Sequence, residues 1–146
     1  NTDWGVLMLF GGGIALSTIL KVSGASLVLG ETVATALSSA PLIIVMMAVS
    51  AFIIFLTEFA SNTASAALLV PVFAAIAEQM GLPHEVLVLV IGIGASCAFM
   101  LPVATPPNAI VFGTGLIKQT EMIRTGIILN IIATIVIGLW AYFFLI

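Results

Sequence analysis

Long apolar blocks separated by short polar breaks make up most of this chain. The blocks that predict helices are Trp4–Leu20, Pro41–Leu56, Ala64–Ala77, Val86–Leu101, Ala109–Ile117 and Ile127–Ile146. Residues 23–40 instead mix glycine, serine and threonine with apolar residues, which favours an interfacial linker or a short amphipathic helix. The pattern predicts an all-α protein whose helices lie in a membrane.

The last block is the clearest membrane-spanning segment. Ile127–Ile146 contains 20 residues, which as a helix span about 30 Å and match a bilayer core of about 30 Å. We predict a transmembrane helix over 126–146, preceded by a loop that carries Lys118, Glu121 and Arg124.

The two blocks on either side of residues 57–63 predict a helical hairpin. This polar heptad, TEFASNT, separates Pro41–Leu56 from Ala64–Ala77. Each block has roughly 14 to 17 residues, or about 21 to 26 Å of helix, which is short for a bilayer core of about 30 Å. We predict a re-entrant hairpin over 41–80 with its tip at membrane depth, and two tilted spans remain the alternative.

A second interruption lies in the helix that follows. Gly81 is placed to end the hairpin, and Pro83 suits the first turn of the next helix. The three prolines of residues 102–108, PVATPPN, remove amide donors and disfavour helix, so the chain is expected to unwind there. We predict a broken transmembrane helix over 84–117, with halves at Val86–Leu101 and Ala109–Ile117.

Composition supports a membrane protein and excludes other classes. The chain is 62% hydrophobic and 6% charged, with a net charge of −3, whereas globular proteins carry about 25% charged residues. Nucleic-acid binding is excluded because the sequence has no basic patch. No metal-ligand cluster, nucleophile paired with a base, or phosphate loop is visible in the sequence, so we do not expect an enzyme.

The two polar breaks carry the candidate chemistry. Unwound backbone offers carbonyl oxygens to Na⁺, and the half-helices that begin near Thr63 and Asn108 offer amides to an anion. Neutral oxygen and amide groups are added by Thr57, Ser61, Asn62, Thr63, Thr105 and Asn108. The structural alternative is that Ser-Asn-Thr caps a helix and Pro-Pro-Asn forms a turn. Glu58 is either a proton or cation site or a residue that faces water.

These motifs resemble a known family. Ser61-Asn62-Thr63 at a hairpin tip, followed by Ala104-Thr105-Pro106-Pro107-Asn108 in a broken helix, resembles the second repeat of the divalent anion/sodium symporters. The resemblance covers essentially the whole chain. The chain is similar in particular to the bacterial sodium/dicarboxylate transporters of that family.

The resemblance implies a fold and a mechanism. It implies an all-α membrane protein with inverted repeats, in which a transport domain moves against a scaffold domain by an elevator mechanism within a homodimer. Residues 1–40 would form a scaffold-domain helix and interfacial linker, and residues 41–146 half of the transport domain. That half would contain the hairpin 41–80, the broken helix 84–117 and the last helix 126–146. The protein is expected to be a multi-pass protein of the bacterial inner membrane. Its expected partners are the lipid bilayer and the N-terminal repeat, which this sequence lacks.

The resemblance also implies a function and its residues. The function is sodium-coupled symport of C4 dicarboxylates such as succinate, with Na⁺ as the coupling ion. The implied sodium ligands are Thr57, Ala60, Asn62 and Ala104, the two alanines through backbone oxygens. The implied substrate ligands are Ser61, Asn62, Thr63 and Pro106.

Two alternatives stay open. A carrier for another divalent anion, such as sulfate or citrate, would use the same frame. A membrane scaffold subunit that transports nothing would explain the apolar blocks but would leave both polar breaks without a purpose.

Overall fold

The computed structural model describes residues 39–145 without a gap, together with positions 15, 18, 19, 22–25, 28, 32, 35 and 36. The continuous part contains helices α1 (Leu42–Thr57), α2 (Asn62–Gln79), α3 (His84–Gly94), α4 (Pro106–Gly113) and α5 (Gln119–Phe144). No strand occurs in residues 39–145, so the all-α prediction is confirmed for that part. The predictions for Trp4–Leu20 and for most of residues 23–40 lie outside the described residues.

Helix α1 is the centre of the core. It packs against α5 on one side and against α3 on another. Its inward positions recur every three or four residues, as expected of a helix that buries one face. The core side chains are Val45, Met46, Val49, Ile53 and Ile54 of α1, Val86, Leu87, Val90 and Ile91 of α3, and Ile137 and Ala141 of α5, joined by Ile76 and Ala77 of α2.

The predicted hairpin corresponds to α1 and α2, joined by a turn at residues 58–61. The two helices diverge after the turn, because α2 packs mainly against α3 rather than against α1. One contact between them is the tilted ring pair of Phe52 and Phe73, whose centroids lie 6.1 Å apart. Re-entry of this pair into the membrane stays a prediction.

Helix α2 ends as its sequence predicts. Gly81 has a φ of 70°, the left-handed conformation that glycine adopts without strain. The amide of Leu82 donates to the carbonyl of Ala77 at 2.9 Å, and the amide of Gly81 donates to that of Glu78 at 3.2 Å. This pair of bonds is a Schellman motif, which turns the chain into α3. Pro83 lies one position before the first turn of α3, as its N-cap residue.

The predicted boundaries of the broken helix are wrong. Helix α3 ends at Gly94 instead of Leu101, and α4 extends over Pro106–Gly113 instead of Ala109–Ile117. The prolines therefore explain only the second half of the unwound segment, residues 95–105. In the first half, Glu58 of the turn after α1 holds the unwound backbone, because its carboxylate accepts hydrogen bonds from the amides of Phe99, Met100 and Leu101. Helix α4 starts early because Thr105 caps it and proline is favoured in a first helical turn.

Helix α5 is longer than predicted at its N-terminal end. It begins at Gln119, so Glu121 and Arg124 lie on the helix rather than in a loop. The Glu121 carboxylate accepts a hydrogen bond of 3.2 Å from the amide of Lys118, which caps the helix before its apolar residues begin. Helix α5 continues without a break through Asn130, a polar residue that lies buried within its apolar stretch.

Among the described residues, α5 is the one helix long and apolar enough to cross a bilayer, with 26 residues and a mean hydropathy of 2.3. Helices α1 and α3 are apolar but shorter. The outward positions of α1 and α5 are also largely apolar, which is typical of helices that face lipid or further protein.

Two glycines allow α5 to approach its neighbours closely. A β-carbon at Gly126 would lie 2.5 Å from the α-carbon of Met100 and 2.6 Å from the carbonyl carbon of Phe99. A β-carbon at Gly138 would lie 2.6 Å from the sulfur of Met47. The first contact is with backbone, which has little room to move, so Gly126 fixes how closely α5 approaches the unwound segment.

We expect Gly126→Ala to lower the free energy of unfolding of the complete protein by about 1 to 3 kcal/mol, because the added methyl group overlaps backbone. Gly113→Ala is the matched control, since a β-carbon there meets nothing within 4 Å. Thermal unfolding in detergent measures both. Equal stability of the two variants would contradict the close approach at Gly126.

Candidate functional site

The carboxylate of Glu58 joins three parts of the fold. Glu58 lies in the turn after α1 and is fully buried, at 0% exposure. Its Oε1 accepts hydrogen bonds from the amides of Phe99 at 2.8 Å and Met100 at 2.9 Å, and its Oε2 accepts one from the amide of Leu101 at 3.0 Å. Asn130 Nδ2 of α5 donates a fourth bond to Oε1 at 2.7 Å.

This arrangement rules out one of the two roles considered for Glu58, and the other, a proton or cation site, stays a prediction. The alternative that Glu58 faces water is wrong, because the side chain is enclosed by protein. Four neutral N–H donors surround its oxygens, which is how a buried carboxylate is stabilised without a cationic partner. A lone asparagine within an apolar helix is the signal for this contact in the sequence, and the prediction for the last helix did not include it.

Beside Glu58, three oxygens meet where the C-terminal ends of α1 and α3 approach the start of α2. The Thr57 hydroxyl oxygen lies 2.7 Å from Asn62 Oδ1 and 2.8 Å from the carbonyl oxygen of Ala95. A hydroxyl group has one hydrogen and can donate to only one of these oxygens. The side-chain amide of Asn62 can therefore take two orientations. Its nitrogen can turn inward and donate to Thr57, or its oxygen can stay inward and bind a cation together with the oxygens of Thr57 and Ala95.

The electrostatic setting of these oxygens suits a cation. Helix C-terminal ends carry partial negative charge, and both α1 and α3 end here. Thr57 is fully buried at 0% exposure, so water does not compete for its hydroxyl group. Carbonyl, hydroxyl and amide oxygens are the neutral ligands that hard cations accept.

A cleft opens next to these oxygens. It has a volume of about 280 Å³ and is lined by Asn62, Thr63, Ala66, Gly92, Ala95 and Ser96. This volume is near the lower end of the range of about 300 to 1,000 Å³ that is typical of ligand pockets. The lining carries no charged side chain, and the first amides of α2, at Asn62 and Thr63, have no carbonyl of their own helix to bind. The cleft thus offers neutral donors to an anion beside a possible cation site.

Other residues of the predicted set act as caps or braces. Ser61 is the N-cap residue of α2 and accepts a hydrogen bond of 3.2 Å from the amide of Ala64. Thr105 caps α4 in the same way, with a bond of 3.3 Å from the amide of Asn108. The Asn108 side chain donates to the carbonyls of Ala98 at 2.9 Å and Leu101 at 3.1 Å. The contact of Ser61 matches the capping alternative, whereas residues 106–108 begin helix α4 instead of forming a turn.

The remaining predicted ligands lie in the two breaks. Ala60 lies in the turn between α1 and α2, Ala104 is 7% exposed in the unwound segment, and Pro106 is the exposed first residue of α4. In the described part of the chain, no hydrogen bond links Ala60 or Ala104 to Thr57 or Asn62. Ser61 and Pro106 do not line the cleft. The structure therefore brings Thr57, Asn62 and Thr63 together, and the ligand roles of all seven residues stay predictions.

Comparison with known proteins identifies the family. The model of the sodium:sulfate symporter transmembrane region matches residues 1–146, which is the whole chain. The chain belongs to this family. The resemblance to divalent anion/sodium symporters is thereby confirmed, and the relatives of this family member are transporters rather than enzymes.

Three relatives illustrate the match. A transporter of Haemophilus influenzae, whose name gives no substrate, is 59% identical over 144 residues, which is 99% of this chain and 31% of the relative. The sodium-dependent dicarboxylate transporter SdcS of Staphylococcus saprophyticus is 42% identical over 143 residues, covering 98% of this chain and 27% of SdcS. SdcS of Staphylococcus aureus is 41% identical over 140 residues, covering 96% and 27%. The chain thus spans less than a third of the length of each of these relatives.

Asn108 braces the unwound segment, because its side chain donates to two carbonyls of that segment. We expect Asn108→Leu, which keeps the size of the side chain, to lower the free energy of unfolding of the complete protein by about 1 to 3 kcal/mol, because two carbonyls lose their donor. Val103→Ala is the control in the same unwound segment, since Val103 is 83% exposed. Thermal unfolding of the complete protein tests both. A variant Asn108→Leu as stable as the control would exclude the bracing role.

Proposed function

We propose that this chain provides one sodium site and part of the substrate site of a sodium-coupled symporter for C4 dicarboxylates such as succinate. The observation that carries the proposal is the position of Asn62. Its side-chain oxygen lies 2.7 Å from the Thr57 hydroxyl group, and the same residue lines the neutral cleft. One residue therefore borders both the cation site and the anion site.

This shared position gives a physical basis for coupling. A dicarboxylate brings two negative charges to a cleft without a charged side chain, and bound Na⁺ would offset part of that charge. Conversely, an anion in the cleft would strengthen the binding of Na⁺, because coupling between two sites is reciprocal. The sodium ligands in this proposal are Thr57, Ala60, Asn62 and Ala104.

The substrate ligands in the proposal are Ser61, Asn62, Thr63 and Pro106. Asn62 and Thr63 offer the first amides of α2, where the helix dipole favours an anion. The names of the Staphylococcus relatives, sodium-dependent dicarboxylate transporters, support both Na⁺ and a dicarboxylate as ligands. The family description names sulfate, which makes sulfate the competing substrate to test.

The remaining architecture is proposed with the function. The chain is the second inverted repeat of the carrier, with α1 and α2 as a re-entrant hairpin and α3 and α4 as a broken transmembrane helix. Residues 41–146 form half of a transport domain, and residues 1–40 belong to a scaffold domain. The carrier works by an elevator mechanism as a multi-pass homodimer in the bacterial inner membrane, together with the N-terminal repeat.

The first test is uptake of labelled succinate by the complete protein in proteoliposomes, with and without an inward Na⁺ gradient. We expect uptake to require Na⁺ and to fall at least about tenfold in Asn62→Ala, because a ligand is lost from both sites. Gln79→Ala, which removes a carboxamide at the opposite end of α2, should leave uptake unchanged. Labelled sulfate is measured in parallel. If Na⁺ drives uptake of sulfate but not of succinate, sulfate replaces succinate as the proposed substrate. If neither anion is taken up, the proposal is rejected.

The second test fills the cleft. A β-carbon at Gly92 meets nothing within 4 Å and Gly92 lines the cleft, so the side chain of Gly92→Leu is expected to extend into the cleft. We expect the KM for succinate to rise about tenfold or more, equivalent to about 1.4 kcal/mol of lost binding. Gly113→Leu, at another glycine with open space, is the control. An unchanged KM in Gly92→Leu would show that succinate binds elsewhere.

A further inference from the structure

Asn130 is a buried polar residue in the middle of the longest apolar helix. It is 8% exposed, and its Nδ2 lies 2.7 Å from Glu58 Oε1. Within the part of the chain that the structure describes, no group donates to the other end of this amide, Oδ1. Because Oδ1 has no hydrogen-bond partner among the described residues, the bond from Nδ2 to Glu58 is the side-chain hydrogen bond that orients Asn130.

The carboxylate that Asn130 contacts holds two elements of the proposed sodium site in register. On one side, Glu58 directly follows Thr57 in the chain. On the other side, it binds the amides of Phe99, Met100 and Leu101, three residues before Ala104. A shift of the carboxylate would therefore change the distance between the ligands of the hairpin turn and those of the unwound segment.

A backbone contact makes α5 a suitable anchor for this arrangement. Gly126 lies one turn before Asn130 on the same helix, and it lets α5 touch the backbone of Phe99 and Met100. The unwound segment is thus held against α5 by close packing at one turn and through the carboxylate at the next. Of these two contacts of α5, the one at Asn130 is made by a side chain, so it can be tested by a substitution that adds no bulk at Gly126.

We propose that Asn130 is a positioning residue for the sodium site, acting through Glu58 and the amides of residues 99–101. This inference rests on the proposed function, since it concerns how the proposed sodium ligands are held. Asn130 does not bind the ion: its Nδ2 is a hydrogen-bond donor and faces the carboxylate. Its contribution is to fix the orientation of a buried charge whose other partners belong to the unwound backbone.

The test measures Na⁺ binding to the complete protein from the rise in thermal stability with Na⁺ concentration, together with the Na⁺ dependence of succinate uptake. We expect Asn130→Leu to raise the half-saturating Na⁺ concentration about 10- to 100-fold, as the loss of residues that orient metal ligands does. Asn130→Gln, which keeps the amide donor, should restore most of the affinity. A residue that only stabilised the fold would change the unfolding temperature without moving the half-saturating Na⁺ concentration, and that result would overturn the proposal.

Thr134→Val is the matched control. Thr134 lies one turn further along α5, and its hydroxyl group donates only to the carbonyl of Asn130, at 2.8 Å. Its loss should leave the half-saturating Na⁺ concentration unchanged. An equal loss of Na⁺ affinity in Thr134→Val and Asn130→Leu would assign the effect to α5 in general and would also overturn the proposal.

Hydrogen exchange of the wild-type protein provides a readout that does not depend on the variants folding. The amides of Phe99, Met100 and Leu101 should be protected although they lie outside a helix, and Na⁺ should increase their protection. Protection that is the same with and without Na⁺, in a protein that Na⁺ stabilises, would overturn the proposal for Asn130 while leaving the sodium site intact. A wild-type protein that Na⁺ neither stabilises nor drives to take up succinate would instead reject the proposed function, and the inference with it.

Discussion

The buried carboxylate of Glu58 is the contact on which the rest of this structure depends. An ionised carboxylate in an apolar surrounding is stable only when donors surround it, and here the donors come from three amides of the unwound segment and from Asn130. Those four bonds fix the end of α1, the break after α3 and the middle of α5 relative to one another. Removing any one donor leaves part of a buried charge without a partner, so the three elements are expected to move as one body.

The same principle explains how an unwound segment persists among apolar helices. Backbone groups that leave a helix in a membrane protein must find partners within the protein. Glu58 accepts from three amides, the Asn108 side chain donates to the carbonyls of Ala98 and Leu101, and the Thr57 hydroxyl group approaches the carbonyl of Ala95. The oxygens near Thr57 are the ones that this pairing leaves short of hydrogens, and they lie beside the cleft. The candidate site therefore consists of the oxygens that are left short of donors when the other backbone groups of the unwound segment are paired.

Local sequence rules predicted the features that depend on a few neighbouring residues. The polar heptad, the left-handed Gly81 and a break near the prolines of residues 102–108 follow from capping preferences and proline geometry. The unwound backbone of residues 99–101 did not follow, because its hydrogen-bond partner is a carboxylate about forty residues earlier in the chain. The start of α5 was missed because charged residues suggested a loop, although Glu121 caps the helix. Asn130 was overlooked because one polar residue barely changes the hydropathy of an apolar helix. Its hydrogen bond with Glu58 is visible only in the fold.

The division between charged and neutral residues has a consequence for the proposed transport cycle. A free carboxylate in the cleft would hold a cation permanently and would repel a dianion, so neither ligand could bind and leave readily. The four N–H donors stabilise the Glu58 carboxylate within the framework, and the cleft itself is lined only by neutral residues. Binding of the anion would then depend on the arrival of Na⁺ rather than on a fixed charge. A carrier of this kind needs its strongest electrostatic contact in the framework and its weaker, reversible contacts at the site, which is the distribution found in this chain.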